Sequence, residues 1–247
     1  MHNQPPARNL LAMFALLVLT GAPAHAPAQV SPAMCGSLQS SFGPYDYRPN
    51  KFSPEDGKYE ATLQIVERFH FTAPVENLIR GASTTRPGGD IEYTLKAFPN
   101  HHRALISVLR LWEREKKQPR LDQMSLPLEC YFERAVRFRP DDNVARLLYA
   151  TFLLKDNRKD DAVTHLEIAR VSGEDNAFTQ YNIGLVYADA AMYDEALRQA
   201  HRAMSLGLAR QHLADRLRSV GRWKDPGELA PMTPMNPASA AAVSGGD

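Results

Sequence analysis

Between residues 143 and 210 the apolar positions recur every three or four residues, the spacing of one face of a helix, and short polar stretches interrupt the rhythm. In "NIGLVYADAAMYDEALRQAHRAM", residues 182–204, the break falls at "DAAMYDE". The segment therefore predicts two short helices folded back on each other. At one fixed offset of 34 it superposes on an earlier stretch: Ala150 falls on Gly184, Leu153 on Tyr187, Ala162 on Ala196, Leu166 on Ala200 and Ala169 on Ala203. Small residues that recur in this way mark places where helices cross closely. Gly184 costs its helix up to about 1 kcal/mol of propensity, so its presence predicts a crossing that outweighs the cost.

A period of 34 with small residues at these points resembles the tetratricopeptide repeat. On that resemblance the two clearest units are 143–176 and 177–210, each a helix pair. Arg146 and Gln180 depart from the pattern, standing where the family usually has a large apolar residue, and Glu174 and Leu208 replace its closing proline. An altered unit lies upstream. Pro99 and Pro140 each end an apolar helix, and each precedes polar cap candidates (Asn100; Asp141 or Asp142). Their separation exceeds the period by seven, which places an enlarged loop in "EREKKQPRLDQMSLP". After the last unit, "RQHLADRLRSVGRW" predicts a capping helix with Leu213 and Leu217 on one face and Gly221 as its stop. The expected fold class is all-α: a short solenoid of about three such pairs plus a capping helix over 99–223, preceded by a small helical segment over 29–98.

Within that segment three short helices are predicted: 58–69, 74–80 ended by Gly81, and 91–98 capped by Asp90. "RPGGDI" reads as a turn. No stretch alternates convincingly as a strand. Ahead of the helices, residues 35–57 are rich in Pro, Gly and aromatics, and they predict an ordered strap in which Phe42, Tyr45 and Tyr47 offer apolar area to bury. Residues 224–247, built from Pro, Ala, Ser and Gly, are expected to be disordered.

Charge narrows the partners. The 247 residues carry 29 Lys and Arg against 28 Asp and Glu, with no run of one sign, so the electrostatic footprint of a nucleic-acid binder is missing. Residues 1–28 hold Arg8, an apolar run from Leu10 to Leu19 and small residues ending at Ala28, which read as a cleaved secretory signal peptide. The run is far shorter than the ~20 residues that span a bilayer, so no stable anchor is expected after cleavage. Export to a periplasmic or secreted location then favours a disulfide between the two cysteines, Cys35 and Cys130, over two separately buried thiols. Such a bond closes a long loop and contributes on the order of 4 kcal/mol in the chain-entropy model.

Motifs for chemistry are sparse. His101 and His102 are neighbours about 100° apart on a helix and so do not converge on one ion, and no H-E-x-x-H, C-x-x-C or G-x-S-x-G occurs. Met232 and Met235 could pair on a soft metal, but their composition context explains them equally well. No metal, cofactor or catalytic residue is expected. The repeat resemblance implies instead a concave face lined by first helices, here by Leu147, Thr151, Leu154, Phe178, Tyr181, Asn182 and Leu185. Members of the family that grip a C-terminal carboxylate use Lys, Asn and Arg in this groove; here Leu147 and Phe178 stand at lysine positions and only Asn182 matches. The expected function is a non-catalytic scaffold or adaptor that holds an apolar or aromatic extended segment of a protein or peptide in the cell envelope. Two other outcomes stay open: these residues pack against the N-terminal segment, or an envelope enzyme or metal-handling site lies in 35–100, signalled by a cleft gathering His70, Asp90, His101 or His102.

Overall fold

The computed structural model describes residues 30–48, 58–208 and 210–226; the expected signal peptide, the last part of the strap (49–57) and most of the tail, Met232 and Met235 included, lie outside the described residues. Among the described residues there are ten helices and no strand: α1 (Lys58–His70), α2 (Ala73–Glu76), α3 (Pro87–Ala97), α4 (His102–Arg114), α5 (Leu128–Phe138), α6 (Asn143–Lys155), α7 (Lys159–Ser172), α8 (Ala177–Asp189), α9 (Tyr193–Ser205) and α10 (His212–Ser219). From α2 onward, helices adjacent in sequence pack on each other, most extensively α6 on α7 and α8 on α9, while α1 packs on α3. In addition α4, α6, α8 and α10 touch in succession, and α1, α2 and α3 close one end of that row.

The period read from the sequence is visible in the backbone. Helix α6 starts at Asn143 and α8 at Ala177, and the same offset separates the start of α7 at Lys159 from that of α9 at Tyr193. All the residues that superpose at this offset are buried, in one continuous apolar core. A Cβ on Gly184 would lie 2.5 Å from Leu213 Cδ2, 3.2 Å from Gln199 Cβ and 3.3 Å from the Ala196 carbonyl oxygen. The crossing thus involves α10 as well as α9, and glycine is what lets α8 approach both.

The first helices α4, α6 and α8 are capped at equivalent places by three different side chains. His101 Nδ1 accepts from the Ala104 amide, Asp142 Oδ1 from the Val144 and Ala145 amides, and Asn176 Oδ1 from the Thr179 amide. Each satisfies backbone donors that the helix itself leaves open. Arg146 and Gln180 reach back over the preceding chain: Arg146 Nη2 donates to the Pro140 carbonyl, and Gln180 Nε2 donates to the Arg170 and Gly173 carbonyls at the end of α7. Polarity at these two positions therefore satisfies carbonyls at the preceding junction.

Two elements of the N-terminal third differ from the sequence reading. Helix α2 stops at Glu76 because Leu78 turns left-handed at φ 60° and the Ile79 amide bonds back to the Pro74 carbonyl. Helix α3 begins at Pro87, so "RPGGDI" forms its first turn and not a separate one. Proline suits that first position because its missing N–H would have no partner there. Gly88 follows because a Cβ would fall 2.2 Å from the Asp122 carbonyl oxygen. Asp90 does not cap α3. Its fully buried carboxylate faces backwards and accepts from the Ala82, Ser83 and Thr84 amides and the Thr84 hydroxyl.

Cys35 and Cys130 form a disulfide with Cα atoms 5.0 Å apart, fixing the strap to α5. Arg134 donates to the Cys35 and Ser37 carbonyls and Arg137 to the Gly36 carbonyl, so the anchored strap has its backbone satisfied by α5. Farther along, the Tyr45 amide bonds to the Ala97 carbonyl, and Phe42, Tyr45 and Tyr47 pack on a second small core of Val66, Ala97 and Phe98. The predicted aromatic burial of the strap is thus realised at the end of α3.

Candidate functional site

Along the row α4, α6, α8 apolar side chains reach solvent. Ile106, Val144 and Phe178 are exposed, the last two at equivalent places in the first turns of α6 and α8. Thr151, Leu154 and Leu185 are half-buried, the two leucines resting on the core, and Asn182 is exposed. Leu147 and Tyr181, by contrast, are only 7% and 5% exposed. Of the seven expected lining residues, these two form a floor beneath the face, and Thr151, Leu154, Phe178, Asn182 and Leu185 present themselves to solvent. Thr151 spends its hydroxyl on the Leu147 carbonyl within its own helix, as threonine commonly does in helices.

Arg210, just before α10, places its guanidinium 5.4 Å from the Phe178 ring centroid and 5.9 Å from that of Tyr181. A cation over two rings is attracted to both faces and keeps them oriented. Sequence reasoning missed Arg210, because it lies outside the helix pattern in the connection to α10; it also passed over Val144, although the offset from Phe178 would have found it. A cavity of about 300 Å³ opens beside Lys159, Met192, Asp194 and Arg222, and none of the seven residues lines it.

No protein-family model and no curated protein matches this chain. Among the described residues no helix is long and apolar enough to cross a membrane, and no group of three or more His, Cys, Asp or Glu is placed to hold a metal ion.

The four titratable residues that would signal a cleft in 35–100 fall into separate, paired arrangements. His70 Nδ1 lies 2.9 Å from Asp90 Oδ1, and its ring stacks on Tyr93 with centroids 3.8 Å apart. His101 Nε2 is 3.1 Å from Glu67 Oε1, whereas His102 Nε2 is 2.8 Å from Asp142 Oδ2. Tyr47 of the strap covers both, its ring centroid 4.1 Å from that of His101 and 5.1 Å from that of His102.

Around them the strap is locked by charge. Asn100 Nδ2 donates to Asp46 Oδ1 at 2.7 Å and to Asp142 Oδ2 at 2.8 Å, while its Oδ1 accepts from the Tyr47 amide. Arg48 pairs with Asp46 at 2.7 Å and Asp141 at 3.1 Å, and Arg139 pairs with Asp46 at 2.7 Å. Burial works to raise the Asp46 and Asp142 carboxyls, but hydrogen bonds from Arg48 and Asn100 to the first, and from His102, Asn100 and the Ala145 amide to the second, hold both below the usual range. His101 is fully buried, and that burial, with Arg103 and His102 nearby, outweighs Glu67 and keeps its imidazole below its ordinary value. Each of these groups already has a partner, so the arrangement holds segments together. Asp46, Tyr47, Arg48 and Asn100 could not have been assigned this role from sequence, since the bonds by which they join the strap to the rest of the fold span 53 to 93 positions.

Proposed function

We propose that this chain is a non-catalytic adaptor of the cell envelope whose helix pairs form a short tetratricopeptide-like solenoid and hold an extended apolar or aromatic segment of a protein on the face of α6 and α8. The observation that carries the reading is Phe178, 55% exposed on that face, with Arg210 above it and Leu154 and Leu185 half-buried alongside. Large apolar side chains exposed in a row on a folded surface are a common mark of binding, and aromatics with a paired Arg are enriched where binding energy concentrates. The shared offset between α6 and α8 and between α7 and α9 supports the repeat reading. The Cys35–Cys130 disulfide supports export, because such bonds persist in oxidising compartments.

The deciding experiment is crosslinking of the full chain in its native envelope, with the crosslinked residues read by mass spectrometry. A partner joined to the face around Thr151, Phe178 and Leu185 is expected. Phe178→Ala combined with Leu185→Lys should abolish its capture with helicity unchanged; undiminished capture by that variant would refute the groove. Leu147 and Tyr181 are unsuitable for this test because their burial makes any change in them a change in folding.

A further inference from the structure

We propose that His101 is the catch of a proton-sensitive latch: in its neutral form it holds strap residues 42–48 and α1 on the N-terminal end of α4, and its protonation releases them while the disulfide keeps the strap attached to α5.

The tautomer is fixed by the bonds. Nδ1 accepts from the Ala104 amide at 3.1 Å, so it carries no proton, and Nε2 must supply the one shared with Glu67 of α1 at 3.1 Å. A second proton would sit on Nδ1, facing the Ala104 N–H, and would abolish the cap of α4. The ring cannot turn away to avoid this. Tyr47 from the strap lies on it at 4.1 Å, with Phe71 at 4.8 Å and Phe98 at 6.4 Å on other sides. The charged or titratable groups around it are Glu67 from α1, Glu76 from α2, Tyr47 from the strap, and Arg103 and His102 on α4. Only Glu67 and Glu76 favour a positive ring, and both are already engaged by Arg103, from Nη1 to Glu67 at 3.1 Å and from Nε to Glu76 at 2.8 Å. Opening the strap and α1 lets water reach the imidazolium and removes the conflict.

The tether is built differently from the catch. Cys35 and Cys130 are fully buried, and Arg134 and Arg137 hold residues 35–37 by carbonyl bonds that do not titrate near neutrality. Release would therefore uncover Val66, Phe98 and the strap aromatics locally, with the strap still bound at its other end.

Amide exchange of the full chain followed by mass spectrometry from pH 7.5 to 5, corrected for intrinsic rates, tests this. Because opening would take up one proton, exchange in 42–48 and α1 is expected to rise about tenfold per pH unit below about pH 6.5. His101→Asn replaces the cap by the side-chain type that Asn176 supplies to α8, without a titrating group, and should flatten the slope whatever its baseline. An unchanged slope in His101→Asn, or a flat profile in the native chain, overturns the latch. Should the variant not fold, NMR titration of the native imidazole decides: proton uptake in step with opening supports the latch, and a ring that stays neutral while 42–48 open overturns it.

Discussion

Asn157 and Ala191 occupy the same place in two successive helix pairs, and both hold a left-handed backbone, at φ 62° and 55°. Each ends a first helix in the same way: the Arg158 amide bonds back to the Leu153 carbonyl at 2.8 Å, and the Met192 amide to the Tyr187 carbonyl at 2.9 Å. Asparagine tolerates this conformation, whereas the Cβ of alanine costs about 1 kcal/mol in it. Ala191→Gly is therefore expected to stabilise the fold by about 0.5–1 kcal/mol, with a smaller gain for Asn157→Gly. Urea midpoints at constant slope check the order.

Gly184→Val should destabilise by about 2 kcal/mol, because added atoms in a filled crossing force neighbours apart. Leu213 Cδ2 can swing aside, but Gln199 Cβ and the Ala196 carbonyl belong to the frame of α9. A double-mutant cycle with Leu213→Ala measures the share due to α10. If the two changes prove additive, α10 does not set the spacing.

Cys35→Ser with Cys130→Ser should lower stability by about 4.7 kcal/mol in the chain-entropy model, for a bond spanning 95 positions. Since both sulfurs are buried, reduction of the native protein should be slow and should accelerate with urea. Thiol labelling against denaturant follows it directly.

His165 packs at a tilt against Tyr149, with ring centroids 4.3 Å apart, and sits 3.4 Å from Arg146 Nη1. Burial, and then Arg146, push its imidazole down to about 4. The unfolded chain takes up that proton near pH 6.5, so the folded state loses stability as pH falls from there towards 4. The slope is at most about 1.4 kcal/mol per unit and is reduced by the ring's partial exposure. His165→Gln keeps an acceptor for Arg146 and should remove this share of the acid sensitivity, read as the difference between the two stability profiles.

The repeating helices were legible in the sequence because their determinants are local. Ala150, Ala162, Ala196 and Ala203 announce the crossings through spacing alone, and the breaks near residues 157 and 191 announce the turns, since helix periodicity and backbone hydrogen bonding act within a few residues. Arg146 and Gln180 looked like flaws in that pattern until the carbonyls they satisfy were in view. The disulfide followed from two cysteines and the inferred compartment. Tertiary structure alone decided the rest. Asp90 turned from a helix cap into an acceptor for the loop behind it, Leu147 and Tyr181 sank beneath the face whose rim is Phe178 and Leu185, and Asn100 joined Asp46 to Asp142. A hydrogen bond between groups 42 or 54 positions apart leaves no periodic trace, because its geometry depends on how whole helices stack and not on the residues that flank either end.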